Sequence, residues 1–318
     1  MRSKKFLSAL CLLPWLLLVR EIPGQTSPND WPFPSRSPAA NAAQPLPAST
    51  PPPFDVPLRQ ESWAQLPNHD LGRAGTEALS LLPQQWRHGE TENFIIHYRT
   101  MGDALQVARE IEFDLWYVAQ SLGASKTEYT RKSHVFIFAD EKEWQKFVAL
   151  SHIPPWVHSL AIRDELFLNV KAAGGGFDSQ TLAHETTHAV VARIYGPRRW
   201  PVWLSEGFAE YMGAASVAAR HWHGPQSNQH NLPNAGMSIG ELFTTTQYPL
   251  NRAAVDSLYE TSAKFVRYLF NKYPKELFPK FVDRLLDGGS AANALAEVYG
   301  GEFRDMSEFQ KHFQIFTR

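Results

Sequence analysis

Two histidines four positions apart, His184 and His188 in TLAHETTHAV, are the residues of this chain best spaced to do chemistry together. On a helix, residues four apart share one face, about 6 Å from each other. Both imidazoles can then direct a nitrogen at one zinc ion, at about 2.0–2.1 Å. Glu185 follows the first, on the side from which a carboxylate reaches metal-bound water and acts as general base. Histidines at this spacing also cap or pack helices, so the pair alone does not define a site. A catalytic zinc needs a third protein ligand and one open position. No third histidine follows closely: Ile194 and Tyr195 stand there, and none occurs before His221. Glu206, in PVWLSEGFAEYM, fills the need, because so apolar a stretch is a poor place for a solvated surface acid. Gly207 beside it leaves room for close helix contact. Glu210, one turn on, shares that face and can bond the free ring nitrogen of His184. The expected complement is one Zn2+ per chain, held by His184, His188 and Glu206.

These residues need two helices to carry them. Residues 177–195 read as the first, capped by Asp178 or Ser179 and stopped by Gly196 and Pro197; residues 201–219 read as the second. Upstream, ENFIIHYRT, KSHVFIFA and ELFLNV read as strands. Between the first two lies an amphipathic helix over 104–122, with Leu105, Ala108, Ile111, Leu115, Val118 and Leu122 at threes and fours. Asp140 caps a short helix in EKEWQKFVAL. Beyond residue 220, segments 253–272, 275–286, 290–298 and 306–314 read as helices. A small sheet with helices, running into a helical C-terminal half, is an α+β fold.

Composition narrows the partners. The 318 residues carry 31 basic and 32 acidic side chains, a formal net charge of −1, which gives no electrostatic case for nucleic acid. Arg2, Lys4 and Lys5 precede an uncharged run from Phe6 to Val19, shorter than the roughly 20 residues that cross a bilayer and suited to an export signal. Residues 1–24 therefore read as a signal peptide or, uncleaved, as an N-terminal membrane tether. The expected location is periplasmic or extracellular. Residues 25–57, rich in Pro, Ser and Ala, read as a flexible linker. Residues 58–318 read as one catalytic domain with subregions of about 90–196 and 197–318. The single cysteine, Cys11, lies within the apolar run, so the remainder has no disulfide.

AHETTH at 183–188, PVWLSEGFAEY at 201–211 and LYETSAKFVRYL at 258–269 together resemble the gluzincin clan of zinc metallopeptidases. The likeness is nearest to the bacterial peptidase-MA-like domains and covers about residues 90–317. It implies a zincin, thermolysin-like architecture and hydrolysis of a peptide or protein substrate. It also implies an oxyanion donor, for which Tyr259 occupies the matching place, with His221, His223 and His158 as rivals. In this clan an edge strand along the cleft pairs with extended substrate, a role that would fall to Phe167, Leu168, Asn169 and Val170. The spacer between His188 and Glu206 is slightly shorter than in aminopeptidases of the clan, and no GAMEN-like stretch occurs; both count against aminopeptidase activity, and an endopeptidase is the leading expectation. Cleavage of a cell-wall peptide crosslink and a catalytically silent zinc-binding domain are the alternatives. Retention of Glu185 argues against the silent domain.

Overall fold

The computed structural model describes residue 52 and residues 55–82, 84–171, 178–220 and 236–317. The proposed leader, nearly all of the linker, and His221 and His223 lie outside the described residues. Among the described residues no helix is long and apolar enough to cross a membrane.

The first part of the chain forms β1 (Arg59–Glu61), α1 (Arg73–Leu81), β2 (Arg87–Glu90), β3 (Phe94–Tyr98), α2 (Met101–Ser121), β4 (Ser133–Phe138), α3 (Glu141–Leu150), β5 (Ser159–Ile162) and β6 (Glu165–Asn169). The second part is helical: α4 (Ser179–Tyr195), α5 (Val202–Arg220), α6 (Ile239–Thr244), α7 (Arg252–Lys272), α8 (Leu277–Leu286), α9 (Ala291–Tyr299) and α10 (Met306–Thr317). The fold is α+β, with one mixed six-stranded sheet in the order β1-β2-β3-β4-β6-β5.

Strands β3, β4 and β6 are parallel to one another and buried on both faces, which is why they read as nearly unbroken apolar runs. Phe94, Ile96, Val135, Ile137, Leu166 and Leu168 point to the front, where α2 and α4 pack. Phe136, Phe138 and Phe167 point to the back, against Trp144 and Phe147 of α3 and Ala74 and Ala78 of α1. Asp140 caps α3 as expected, accepting from the amides of Lys142 and Glu143.

The flanking strands overturn one expectation. The segment Phe167, Leu168 and Asn169 does not lie on an edge: β6 is hydrogen-bonded to β4 on one side and antiparallel to β5 on the other. Val170 is tied down as well, its amide donating to the Phe138 carbonyl. The edge belongs to β5. Ser159–Ile162 folds back through a two-residue hairpin, with Arg163 at φ 56°, and covers the backbone of β6. The Arg163-Asp164 turn lacks the Asn-Gly or Asp-Gly signature of such hairpins, so the run before it carried no strand signal. β1 and β2 are short and polar, so no apolar alternation marks them.

Candidate metal centre

α4 carries the histidines, and its sequence explains its place. Small and apolar residues surround it, so it lies buried between the sheet, α2 and α5. Asp178 caps it by accepting from Gln180 N at 3.1 Å, and Gly196 ends it at φ 62°. α5 meets α4 and α7 through glycines. A Cβ on Gly213 would stand 3.2 Å from the His184 amide, and one on Gly207 only 2.5 Å from Ser262 of α7. These close approaches set α5 at the depth where Glu206 faces α4.

His184, His188 and Glu206 converge. The two Nε2 atoms lie 3.1 Å apart, and Glu206 Oε2 lies 3.4 Å from His184 Nε2 and 3.5 Å from His188 Nε2. The outer nitrogens are engaged elsewhere: His184 Nδ1 with Glu210 Oε2 at 3.3 Å, His188 Nδ1 with Ser205 Oγ at 3.2 Å. With both Nδ1 atoms donating, both Nε2 atoms present lone pairs to each other and to a carboxylate oxygen. Such a triangle is repulsive unless a proton or a metal cation sits in it. Glu206 Oε2 is buried and has no hydrogen-bond partner. Donors at 2.0–2.1 Å from a tetrahedral zinc stand about 3.3 Å from one another, so the observed spacings fit that ion. Nitrogen and carboxylate donors suit zinc and its neighbours among the first-row divalent ions.

The charges agree with the geometry. Burial alone would lower His184, but the contacts with Glu206 and Glu210 and the nearby Glu185 outweigh it and hold the imidazole well above its ordinary value. Burial alone would raise Glu206, yet the charge of His188 and the closeness of both imidazoles hold it far below the carboxylate range. The centre is thus built to hold a positive charge.

Glu185 is buried on the neighbouring side of α4, and its Oε2 accepts from the amide of Ala161 in β5 at 2.8 Å. Tyr259, on α7, lies against His184, ring centroids 6.2 Å apart and nearly parallel. His158 precedes β5 in step with Leu160, whose side chain lies in the back core, so it faces away from the centre. Tyr248 was not anticipated, yet its hydroxyl donates to Glu206 Oε1. A lone tyrosine in TTTQYPLN has neither periodicity nor motif to mark it.

No protein-family model matches the chain, and no curated protein compared with it does.

Proposed function

We propose that the chain is a zinc-dependent peptide hydrolase of the gluzincin type, with His184, His188 and Glu206 as the metal ligands. The observation that carries this reading is the convergence of two imidazole nitrogens and an otherwise unbonded carboxylate oxygen within 3.5 Å of one another. When bound, zinc supplies a Lewis acid that polarises the scissile carbonyl and lowers the pKa of a water. Glu185 would take a proton from the attacking water and pass it to the leaving amine. Glu210 and Ser205 hold the tautomers of the two histidines. Tyr259 is the candidate donor to the developing oxyanion.

Strand β5 takes the substrate-pairing role once expected of β6. His158 O accepts from Asn169 N, so in this antiparallel pair Ser159 and Ala161 turn their main-chain groups outward. The outward amide of Ala161 already bonds Glu185, which ties the general base to the strand beside which a peptide would lie. An extended peptide fits this edge by main-chain pairing. The N-terminal segment supports export of the whole.

Zinc content and a peptide-library digest read by mass spectrometry test the reading together. One zinc per chain and cleavage abolished by chelation are the expected results. Less than about 0.2 zinc per chain after zinc loading, with Glu206→Gln binding like the parent, removes the metal site. Zinc-loaded protein that cleaves cell-wall crosslinks and no library peptide moves the substrate to the amidase alternative.

A further inference from the structure

The two oxygens of Glu206 have different surroundings. Oε2 faces both imidazole Nε2 atoms and accepts no hydrogen bond. Oε1 accepts one from the phenol of Tyr248. Tyr248 stands in the connection between α6 and α7, and that connection is anchored at each end. Upstream, Leu242 is buried and Phe243 packs on Trp203 of α5 at 5.2 Å. Downstream, Asn251 caps α7 by accepting from Ala254 N at 2.8 Å. Pro249 further restricts the backbone of Tyr248 to extended conformations. The phenol is therefore delivered to Glu206 by a strap with little freedom.

A ligand carboxylate can bind a metal through one oxygen or through both. If Oε1 joined Oε2 on the ion, it would occupy the position that a catalytic water requires. A phenol donating to a carboxylate oxygen makes a strong, charge-assisted bond and holds the carboxylate plane. We propose that Tyr248 is a positioning residue which restricts Glu206 to a single metal bond, through Oε2, and so keeps a coordination position open. This rests on the metal reading above and extends it to the coordination number.

Tyr248→Phe in the full chain, loaded with Co2+ in place of zinc, tests it through the visible spectrum. Four-coordinate cobalt absorbs strongly and five-coordinate cobalt weakly. The parent should show the strong bands, and the variant should lose them as Glu206 becomes free to bind through both oxygens. Zinc affinity, measured by chelator competition, should fall by about 10-fold or more as the carboxylate loses its orientation. A cobalt spectrum unchanged by the substitution overturns the proposal, even where turnover falls, and assigns the phenol to substrate instead. A parent protein that binds neither metal overturns the metal reading and this inference with it. If the variant does not fold, a crystal structure of the zinc-loaded parent decides: Glu206 bound through both oxygens overturns the proposal, and Oε1 held by Tyr248 supports it.

Discussion

On the front of the sheet His184 and His188 converge on Glu206; on the back, His88, His97 and His134 run in a chain across β2, β3 and β4. His88 Nδ1 meets His97 Nδ1 at 2.8 Å, and His97 Nε2 meets His134 Nδ1 at 2.9 Å. Phe136 stacks on His97 at 4.4 Å, and Trp63 covers His88 and His97. In each group imidazole nitrogens meet within 3.1 Å, yet His184 and the back imidazoles shift in opposite directions. Burial drives His134 down to about 3, with Arg131, His69 and His88 adding to the effect. Burial, then His134 and His88, lowers His97 in the same way. His184 goes up because two carboxylates reach it.

A neutral imidazole has one donor and one acceptor, so a row of three is satisfied while uncharged. A proton added to the back chain is a buried charge, and no carboxylate is among the groups that shift His97 or His134. On the front, the carboxylates reward a cation. Acids, more than burial, separate a group that could hold a metal from a polar seam that joins strands.

The sharpest way to test the contrast is to remove chemistry from one side only. Glu185→Gln should lower turnover by at least about 10²-fold while zinc content stays at the parent value, since the proposed general base is lost and the proposed ligands are not. His134→Gln should leave both turnover and zinc content unchanged. A loss of zinc in the back-face variant would mean that the two groups are coupled through the sheet.

Acid should find the back group next. The unfolded chain protonates these histidines near pH 6.5, whereas the folded chain resists. Their contribution is intact above that pH and is lost as pH falls from 6.5 towards about 3. For His134 alone the destabilisation reaches about 2 kcal/mol by pH 5. Denaturant melts at pH 7 and pH 5 measure it, and His134→Gln should flatten the dependence.

Geometry can be perturbed without touching either group. Gly207→Ala puts a methyl 2.5 Å from Ser262, so α5 and α7 must separate. Overpacking costs about 1–3 kcal/mol and the better helix former returns about 1, for a net loss of up to about 2 kcal/mol. A thermal melt should show it, with weaker zinc binding because Glu206 moves with α5. The smallest effect belongs to Ser205→Ala. It removes one hydroxyl bonded to His188 Nδ1, at about 0.5–1.5 kcal/mol, and should weaken zinc binding two- to tenfold in chelator competition.

Local chemistry was legible in the sequence wherever one helix or one strand settled it. The i,i+4 histidines, the Asp178 and Asp140 caps, the Gly196 stop and three buried strands follow from residues close together in the chain. Glu206 and Glu210 were legible because charge in an apolar helix needs a partner, and the structure puts both beside His184. Even so, Leu105, read as core, is 40% exposed while Ala104 and Val107 are buried: the periodicity marked the helix but not the centre of its inner face. What depends on distant segments was decided only by the tertiary structure. Edge position is a property of neighbours, so no reading of ELFLNV could tell that Ser159–Ile162 would cover it. The histidine chain joins residues from three strands that only sheet pairing brings into line. Tyr248 meets Glu206 across 42 positions of sequence because two anchored helices hold the connection between them in place, and no local pattern encodes that distance.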